Sequence, residues 1–474
     1  MAKRSGLVLR AAELARASEG RMISGRSDVR VDGFSIDSRR VKRGDLFVAI
    51  RGARLDGHNF VSEAIQRGAA GVVVGDSTLA GLRIEALDQP FVIAVKNTTR
   101  ALQLMAREIR RRSGARVVAI TGSIGKTTTK ELIANVLASV YRVCRSEGNL
   151  NNHIGVPLSL LELRHEPEVA VVELGMNHAG EISTLVSLAE PEMRVWTNVA
   201  EVHSAFFRSI EAIADAKAEI LEGATEKSQL VANAGDPRVM ARTKNFPGSV
   251  ITFGVEMRAD VTATQVKSLG LDGMEAMLKT PVGLTSVRTQ MLGHGHVANI
   301  VAAVAVALQF NVPLEAVVAR VAEYVTQPRR GQVIRLGDIT VVDDTYNSSP
   351  TALKTTLEAV GCTRECVRRV AVLGEMLELG AQSAALHEAC GRAAVAAGFD
   401  AVISVGGSPA LALAEGARVA GLPEDVVMTF ATSGEAAEYV TNFVRVGDVV
   451  LVKGSRGIGM DEIVDRLKVE GSEN

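Results

Sequence analysis

Apolar and polar positions along this 474-residue chain fall into three successive patterns. Over residues 1–97, short apolar runs alternate with turns. Residues 33–37, 45–50, 71–75 and 91–95 read as strands, with a helix over 61–68, which together make a small α/β unit. From 98 to 326, strand-like runs at 117–121, 169–173, 195–199 and 230–233 alternate with helical stretches. This is the pattern of a parallel sheet wrapped by helices. Between 258 and 292 the alternation shortens, as in antiparallel strands, and a long apolar helix over 296–309 closes the unit. Pro328-Arg329-Arg330-Gly331 reads as a linker. Beyond it, 339–343, 370–374, 401–406, 426–430 and 448–453 read as five strands of a Rossmann-like sheet. The expected fold class is α/β in three domains, with bounds 1–97, 98–326 and 327–474.

Bulk properties narrow the function classes. Hydrophobic residues make up 47% of the chain, enough for a core in each unit. With 53 basic against 54 acidic residues, no global field recruits nucleic acid or an anionic membrane. The N-terminal segment has too short an apolar run for a signal peptide. The longest apolar stretch, 297–310, is broken by Asn299 and Gln309 and reads as a buried helix rather than a membrane span. A soluble cytoplasmic protein is expected. Of the four cysteines only Cys362 and Cys366 are close, with no second pair and no nearby histidine, so free thiols rather than zinc are expected.

The most informative segment is Val117-Val118-Ala119-Ile120-Thr121-Gly122-Ser123-Ile124-Gly125-Lys126-Thr127-Thr128. A buried-strand run ends in a glycine turn and a helical pattern follows. Such a turn offers consecutive backbone N–H groups and a helix N-terminus to phosphates. The lysine adds a cation, and the threonine hydroxyl suits Mg²⁺. The full Walker pattern has a glycine where this chain has Ile120, so the loop is shorter than in kinases and GTPases.

Other residues stand out by position. Glu173 ends the apolar run 169–172, where an acid at a strand's carboxyl end can reach a metal beside a phosphate loop. A helix cap on the next turn is the alternative. Lys217 falls on the apolar stripe of the helical segment 210–221 and must snorkel, pair or be modified. His203 follows a strand end, as either a ligand or a turn histidine. Asp343-Asp344-Thr345-Tyr346-Asn347-Ser348-Ser349-Pro350 closes the first strand of the last unit and faces its crevice, with Ser349 also placed to cap a helix that starts at Pro350. Lys453-Gly454-Ser455-Arg456-Gly457 puts two cations in a glycine turn suited to an anion.

Taken together, these segments resemble the Mur ligases, the ATP-dependent amide-forming enzymes of peptidoglycan (cell wall) synthesis, over nearly the whole chain. The shortened loop 121–128 is similar to that family's phosphate loop. Asp37-Ser38-Arg39, Gly44-Asp45-Leu46-Phe47 and Asp56-Gly57-His58-Asn59-Phe60 resemble its UDP-sugar domain. Segments 149–157, 173–182 and 372–380 resemble the branch that adds a dipeptide. The branch that adds the third amino acid carries a serine-rich stretch after the strand acid and an Asp-Asn-Pro-Arg segment, both missing here.

The resemblance implies a ligase joining D-alanyl-D-alanine to UDP-MurNAc-tripeptide through an acyl phosphate, and a monomer is expected. From the three-part pattern, closure is expected at the linkers near 98 and 328. It implies ATP contacts at Gly122, Ser123, Ile124, Gly125, Lys126, Thr127, Thr128, Asn299, Arg330 and Asp344. Substrate contacts would come from Ser38, Arg39, His58, Asn151, Asn347, Ser349, Lys453 and Arg456. Two Mg²⁺ ions are implied, with Thr127, Glu173, His203 and a carbamylated Lys217 as ligands, and Lys126, Lys217 and His203 as catalytic groups. The chain departs from the family pattern in three places. His296 stands where an adenine-contacting asparagine is usual, Ser349 where asparagine is usual, and Glu375 where aspartate is usual.

Overall fold

The computed structural model describes residues 6–81, 90–200, 207–363 and 366–471. Three large sheets carry the chain, beside a two-stranded antiparallel pair of Leu9–Arg10 with Arg30–Val31. The first has the order Arg21–Ser24, Phe91–Val95, Gly71–Gly75, Asp45–Val48, Gly33–Ser35. It is parallel except for its first pair. Phe91–Val95 and Gly71–Gly75 are buried at every position, which is why they read as unbroken apolar runs.

The helix Thr98–Ser113 follows. Asn97 caps its start by accepting from Arg100 N–H (2.9 Å), and Gly114 ends it in the left-handed region. Its apolar face, Leu102, Met105 and Ile109, is shared. One continuous cluster runs from Leu14 and Ile93 of the first unit through this helix to Leu160, Leu185 and Trp196 of the central one. A polar tie reinforces the joint, Leu7 N–H donating to Arg164 O (2.8 Å), and Gln103 Nε2 anchors the helix itself to His153 O (3.0 Å) of the central unit.

The central sheet has nine strands, in the order Gly283–Thr289, Met274–Thr280, Val261–Ser268, Ser249–Val255, Gln229–Asn233, Met193–Trp196, Arg116–Thr121, Val169–Glu173, Val143–Arg145. All pairs are parallel except the two that join the last strands of the chain segment, 261–289. The expected antiparallel stretch is therefore present as an extension of the same sheet. The helix His294–Gln309 lies buried against its second face, packed with the helix Lys126–Leu137. Two strands, Val143–Arg145 and Ser249–Val255, carry half-exposed residues and are absent from the sequence reading.

The last sheet has six strands rather than five: Gln332–Leu336, Ile339–Asp344, Asp448–Lys453, Arg368–Gly374, Ala401–Val405, Val427–Phe430. The extra strand is an antiparallel edge immediately after the linker turn. None of its residues is buried, so no apolar alternation marks it. The other strands run parallel between two apolar clusters. Among the described residues no helix is long and apolar enough to cross a membrane.

Candidate active site

The phosphate loop sits where the strand Arg116–Thr121 gives way to the helix Lys126–Leu137, between the carboxyl ends of Val169–Glu173 and Met193–Trp196. Two glycines are obligatory. Gly122 has φ +155°, and a Cβ there would lie 1.9 Å from Thr197 Oγ1. Gly125 has φ +83°, and its Cβ would lie 2.5 Å from Asn299 Oδ1. Asn299 thus backs the loop, held by Thr129 Oγ1 at 3.2 Å.

The loop is fastened to the segment after the neighbouring strand. Ser123 N–H donates to Asn198 O (3.0 Å) and Ile124 N–H to Asn198 Oδ1 (2.9 Å), while Asn198 Nδ2 donates back to Ile124 O (2.9 Å). Two amides that the sequence reading assigned to phosphate are therefore already paired. The N–H groups of Gly125, Lys126, Thr127 and Thr128 donate to no described group and stay available to an anion. Asn198 was missed by the sequence reading, although an asparagine two residues past a strand end is a signal for such a clasp.

Lys126 Nζ donates to Gly122 O (2.8 Å) and Ser123 O (3.2 Å). Burial lowers its pKa and Arg330 adds to that effect, while Glu173 opposes it. Thr127 Oγ1 donates to Glu173 Oε2 (2.7 Å), and Asn151 Nδ2 donates to the other oxygen, Oε1 (2.7 Å). Thr127 and Glu173 are both buried. The expected capping alternative for Glu173 is not what the structure forms, and Asn151, expected at the substrate, is found on Glu173. Oxygen donors alone meet here, as a hard cation prefers. Among the described residues no cluster of three or more His, Cys, Asp or Glu forms a protein-only cage. One carboxylate and one hydroxyl beside phosphates suit Mg²⁺, which completes its shell with water and substrate oxygens.

Lys217 lies on the helix Ile210–Ala218, capped by Ser209 accepting from Ala212 N–H (3.2 Å). Its side chain is 2% exposed, so it does not snorkel. No described carboxylate pairs with it. Burial, and then repulsion from Lys126, hold its pKa well below the usual lysine range. His203 lies outside the described residues.

A cavity joins the loop to the linker. Its lining includes Thr127, Thr128, Glu131, His296, Tyr324 and Arg330. His296 Nδ1 is buried without a hydrogen-bond partner, and burial lowers the ring's pKa. Arg330 stacks 3.8 Å above the Tyr346 ring, and Arg456 lies over the same ring at 5.2 Å. Beside them, Lys453 Nζ donates to Asp344 Oδ2 (2.7 Å) and to Asn347 O (2.9 Å), and Ser349 caps the helix Pro350–Gly361. Arg330, Asp344, Asn347, Lys453 and Arg456 are thus brought together. Tyr346, named in the sequence only as part of the segment 343–350, lies under both Arg330 and Arg456.

Ser38, Arg39 and His58 all lie in turns of the first unit, Ser38 and Arg39 just after the strand Gly33–Ser35 and His58 against the end of Gly71–Gly75. Ser38 Oγ donates to Glu63 Oε2 (2.7 Å), and Arg39 pairs bidentately with Asp37. His58 Nε2 accepts from Gly75 N–H (2.9 Å), so its proton sits on Nδ1, 2.5 Å from Asp56 Oδ1. Both ring nitrogens are occupied within the protein.

Three family models match in chain order: "Mur ligase family, catalytic domain" over 30–110, "Mur ligase middle domain" over 120–307, and "Mur ligase, glutamate ligase domain" over 329–456. The UDP-N-acetylmuramoyl-tripeptide–D-alanyl-D-alanine ligase of Escherichia coli K12 is 35% identical over 451 residues, covering 94% of this chain and 96% of that one. The MurF crystal structure from Acinetobacter baumannii superposes with a TM-score of 0.86 at 29% identity, covering 98% of this chain and 100% of that one. MurF of Thermotoga maritima in complex with ADP gives 0.80 at 28%, covering 93% and 98%.

Proposed function

The chain belongs to the Mur ligase family, and from that membership we propose that it joins D-alanyl-D-alanine to UDP-N-acetylmuramoyl-tripeptide, cleaving ATP to ADP and phosphate. The observation that carries this reading is the full-length match to a ligase of that name, which spans all three sheets rather than the nucleotide loop alone.

Amide formation from a free carboxylate is uphill in water. The tripeptide's terminal carboxylate oxygen attacks the γ-phosphorus and ADP leaves, giving an acyl phosphate. The dipeptide's amine nitrogen then attacks the acyl carbon, loses a proton, and phosphate departs. In the first step two anions approach each other. Lys126 and the first-turn amides of its helix offset that repulsion and hold the phosphates in line. Mg²⁺ fits beside Thr127 and Glu173, where it would supply further charge neutralisation, and Asn151 fixes the Glu173 carboxylate for it.

Lys217 acts in this reading as a carbamate. Its uncharged amine adds to CO₂ with loss of a proton, giving a carboxylate-like ligand for a second Mg²⁺ with His203. Support comes from the burial of Lys217 without a described carboxylate partner. The nucleotide base lies beside the linker cavity in this reading, against His296 and Arg330 of its lining, with Asn299 behind the loop and Asp344 on Lys453 nearby. The turns that carry Ser38, Arg39 and His58 in the first unit take the UDP-sugar. The C-terminal crevice of Asn347, Ser349, Lys453 and Arg456 takes the amine substrate.

Three domains, divided near 98 and 327, carry these tasks. Closure to exclude water from the acyl phosphate uses the turn at 328–331, because the apolar cluster is continuous across residue 98. The assay is phosphate release from ATP with the UDP-tripeptide, with and without D-alanyl-D-alanine. Release should require both substrates, and turnover indifferent to the dipeptide would refute the assignment.

A further inference from the structure

At the carboxyl ends of the C-terminal strands three turns are laced together. Glu375, just past the strand Arg368–Gly374, donates its N–H to Val405 O (2.9 Å), and its Oε2 accepts from Gly407 N–H (2.9 Å). The next amide, Met376, donates to His387 Nε2 (2.8 Å), and the one after, Leu377, donates to Ser455 Oγ (2.9 Å). Ser455 N–H returns to Glu375 O (3.2 Å). His387 is fully buried and its Nδ1 donates to Ser383 O (2.7 Å), so the ring is a neutral imidazole in one tautomer. Ser455 itself stands between Lys453 and Arg456.

This lacing holds one large apolar side chain in the open. Leu377 is 43% exposed, and its Cδ1 lies 3.0 Å from where a side chain at Gly457 would begin. The neighbouring Arg456 makes no ion pair among the described residues. An apolar surface beside an unpaired cation suits a short peptide with small side chains and a free carboxylate.

We infer that the 375–379 turn walls the amine-substrate subsite, that Leu377 limits the side chain admitted there, and that His387 is the positioning residue holding Leu377 in place. The inference rests on the reading of the C-terminal crevice as the amine site.

The test separates the two half-reactions. Hydroxylamine traps the acyl phosphate as a hydroxamate, its nitrogen displacing phosphate, with no dipeptide present. Leu377→Ala should raise kcat/KM for D-alanyl-D-leucine relative to D-alanyl-D-alanine by about 10-fold or more. His387→Asn and Ser455→Ala should each raise the KM for D-alanyl-D-alanine by about 10-fold while hydroxamate still forms at the wild-type rate. Ser455→Ala removes only a hydroxyl, so it carries the test if the histidine variant fails to fold. Unchanged selectivity in Leu377→Ala, or equal losses of hydroxamate and peptide formation in Ser455→Ala, would overturn the inference. If the wild-type enzyme makes hydroxamate but ignores every dipeptide, the reading of the crevice as the amine site fails instead.

Discussion

Thr127 Oγ1 donates to Glu173 Oε2 across 2.7 Å, joining the first turn of the phosphate-loop helix to the end of the neighbouring strand. The parallel register sets this up, because Glu173 stands opposite Ile120, the last apolar residue before the loop. Asn151 occupies the other carboxylate oxygen at 2.7 Å. The carboxylate is therefore fixed from two sides before any cation reaches it, which lowers the cost of ordering it on binding.

The first prediction follows from that clamp. Asn151→Leu should lower activity about 10–100-fold and raise the Mg²⁺ concentration needed for half-maximal rate. Glu173→Gln should lower activity further. Titrating Mg²⁺ against phosphate release checks both. An Asn151 variant with lower activity but an unaltered Mg²⁺ requirement would place this residue on the substrate instead.

Gly122→Ala tests the loop's geometry. The added Cβ falls 1.9 Å from Thr197 Oγ1 at a φ that L residues rarely adopt, so the loop must shift. The expected cost is about 1–3 kcal/mol in unfolding free energy, with a higher KM for ATP. Thr197→Ala should recover part of the loss in the double variant, because it removes the clashing oxygen. Strictly additive effects would mean that the contact is not the cause.

How far the sequence reveals this site depends on how local each feature is. Strands buried on both faces, such as Val169–Glu173, announce themselves as unbroken apolar runs, and the loop follows from spacing. The edge strand Gln332–Leu336 and the short strand Val143–Arg145 leave no such trace, because none of their residues is buried. The strand read at 195–199 stops at Trp196, since Thr197 and Asn198 turn their polar groups onto the loop. The role of Asn151 depends on a contact 22 residues along the chain, and only the assembled sheet reveals it. Lys217 is a middle case. Its place on an apolar stripe is legible, but its lack of a described partner is not.

His387 gives a pH signature. Burial holds its pKa below the usual histidine value, against the opposing effect of the Ser383 carbonyl. In the unfolded chain the ring titrates near ~6.5. As pH falls through that value, the unfolded state takes up a proton that the folded state refuses. The stability present above that pH is lost progressively until the folded ring also protonates. Urea unfolding followed from about pH 7.5 down to about pH 5 should show a shallower decline in His387→Asn than in the wild type. Equal slopes would show that another group governs the acid limb.

Lys217 carries the last prediction. A lysine amine that is 2% exposed, with no described carboxylate beside it and Lys126 repelling it, is poorly placed to stay an ammonium. As a carbamate it would instead carry negative charge in a region already held by Lys126. Incubation with ¹³C-bicarbonate should give a carbamate carbonyl resonance in the wild type that is missing from Lys217→Ala. That variant should lose activity by about 100-fold or more, with partial recovery in acetate or formate, whose carboxylates can enter the space left by the side chain. Lys217→Met fills the same volume without an amine, so it should fold, remain inactive and resist rescue. A wild-type enzyme that shows no such resonance and keeps full rate in CO₂-depleted buffer would rule the carbamate out, leaving Lys217 as a buried neutral amine.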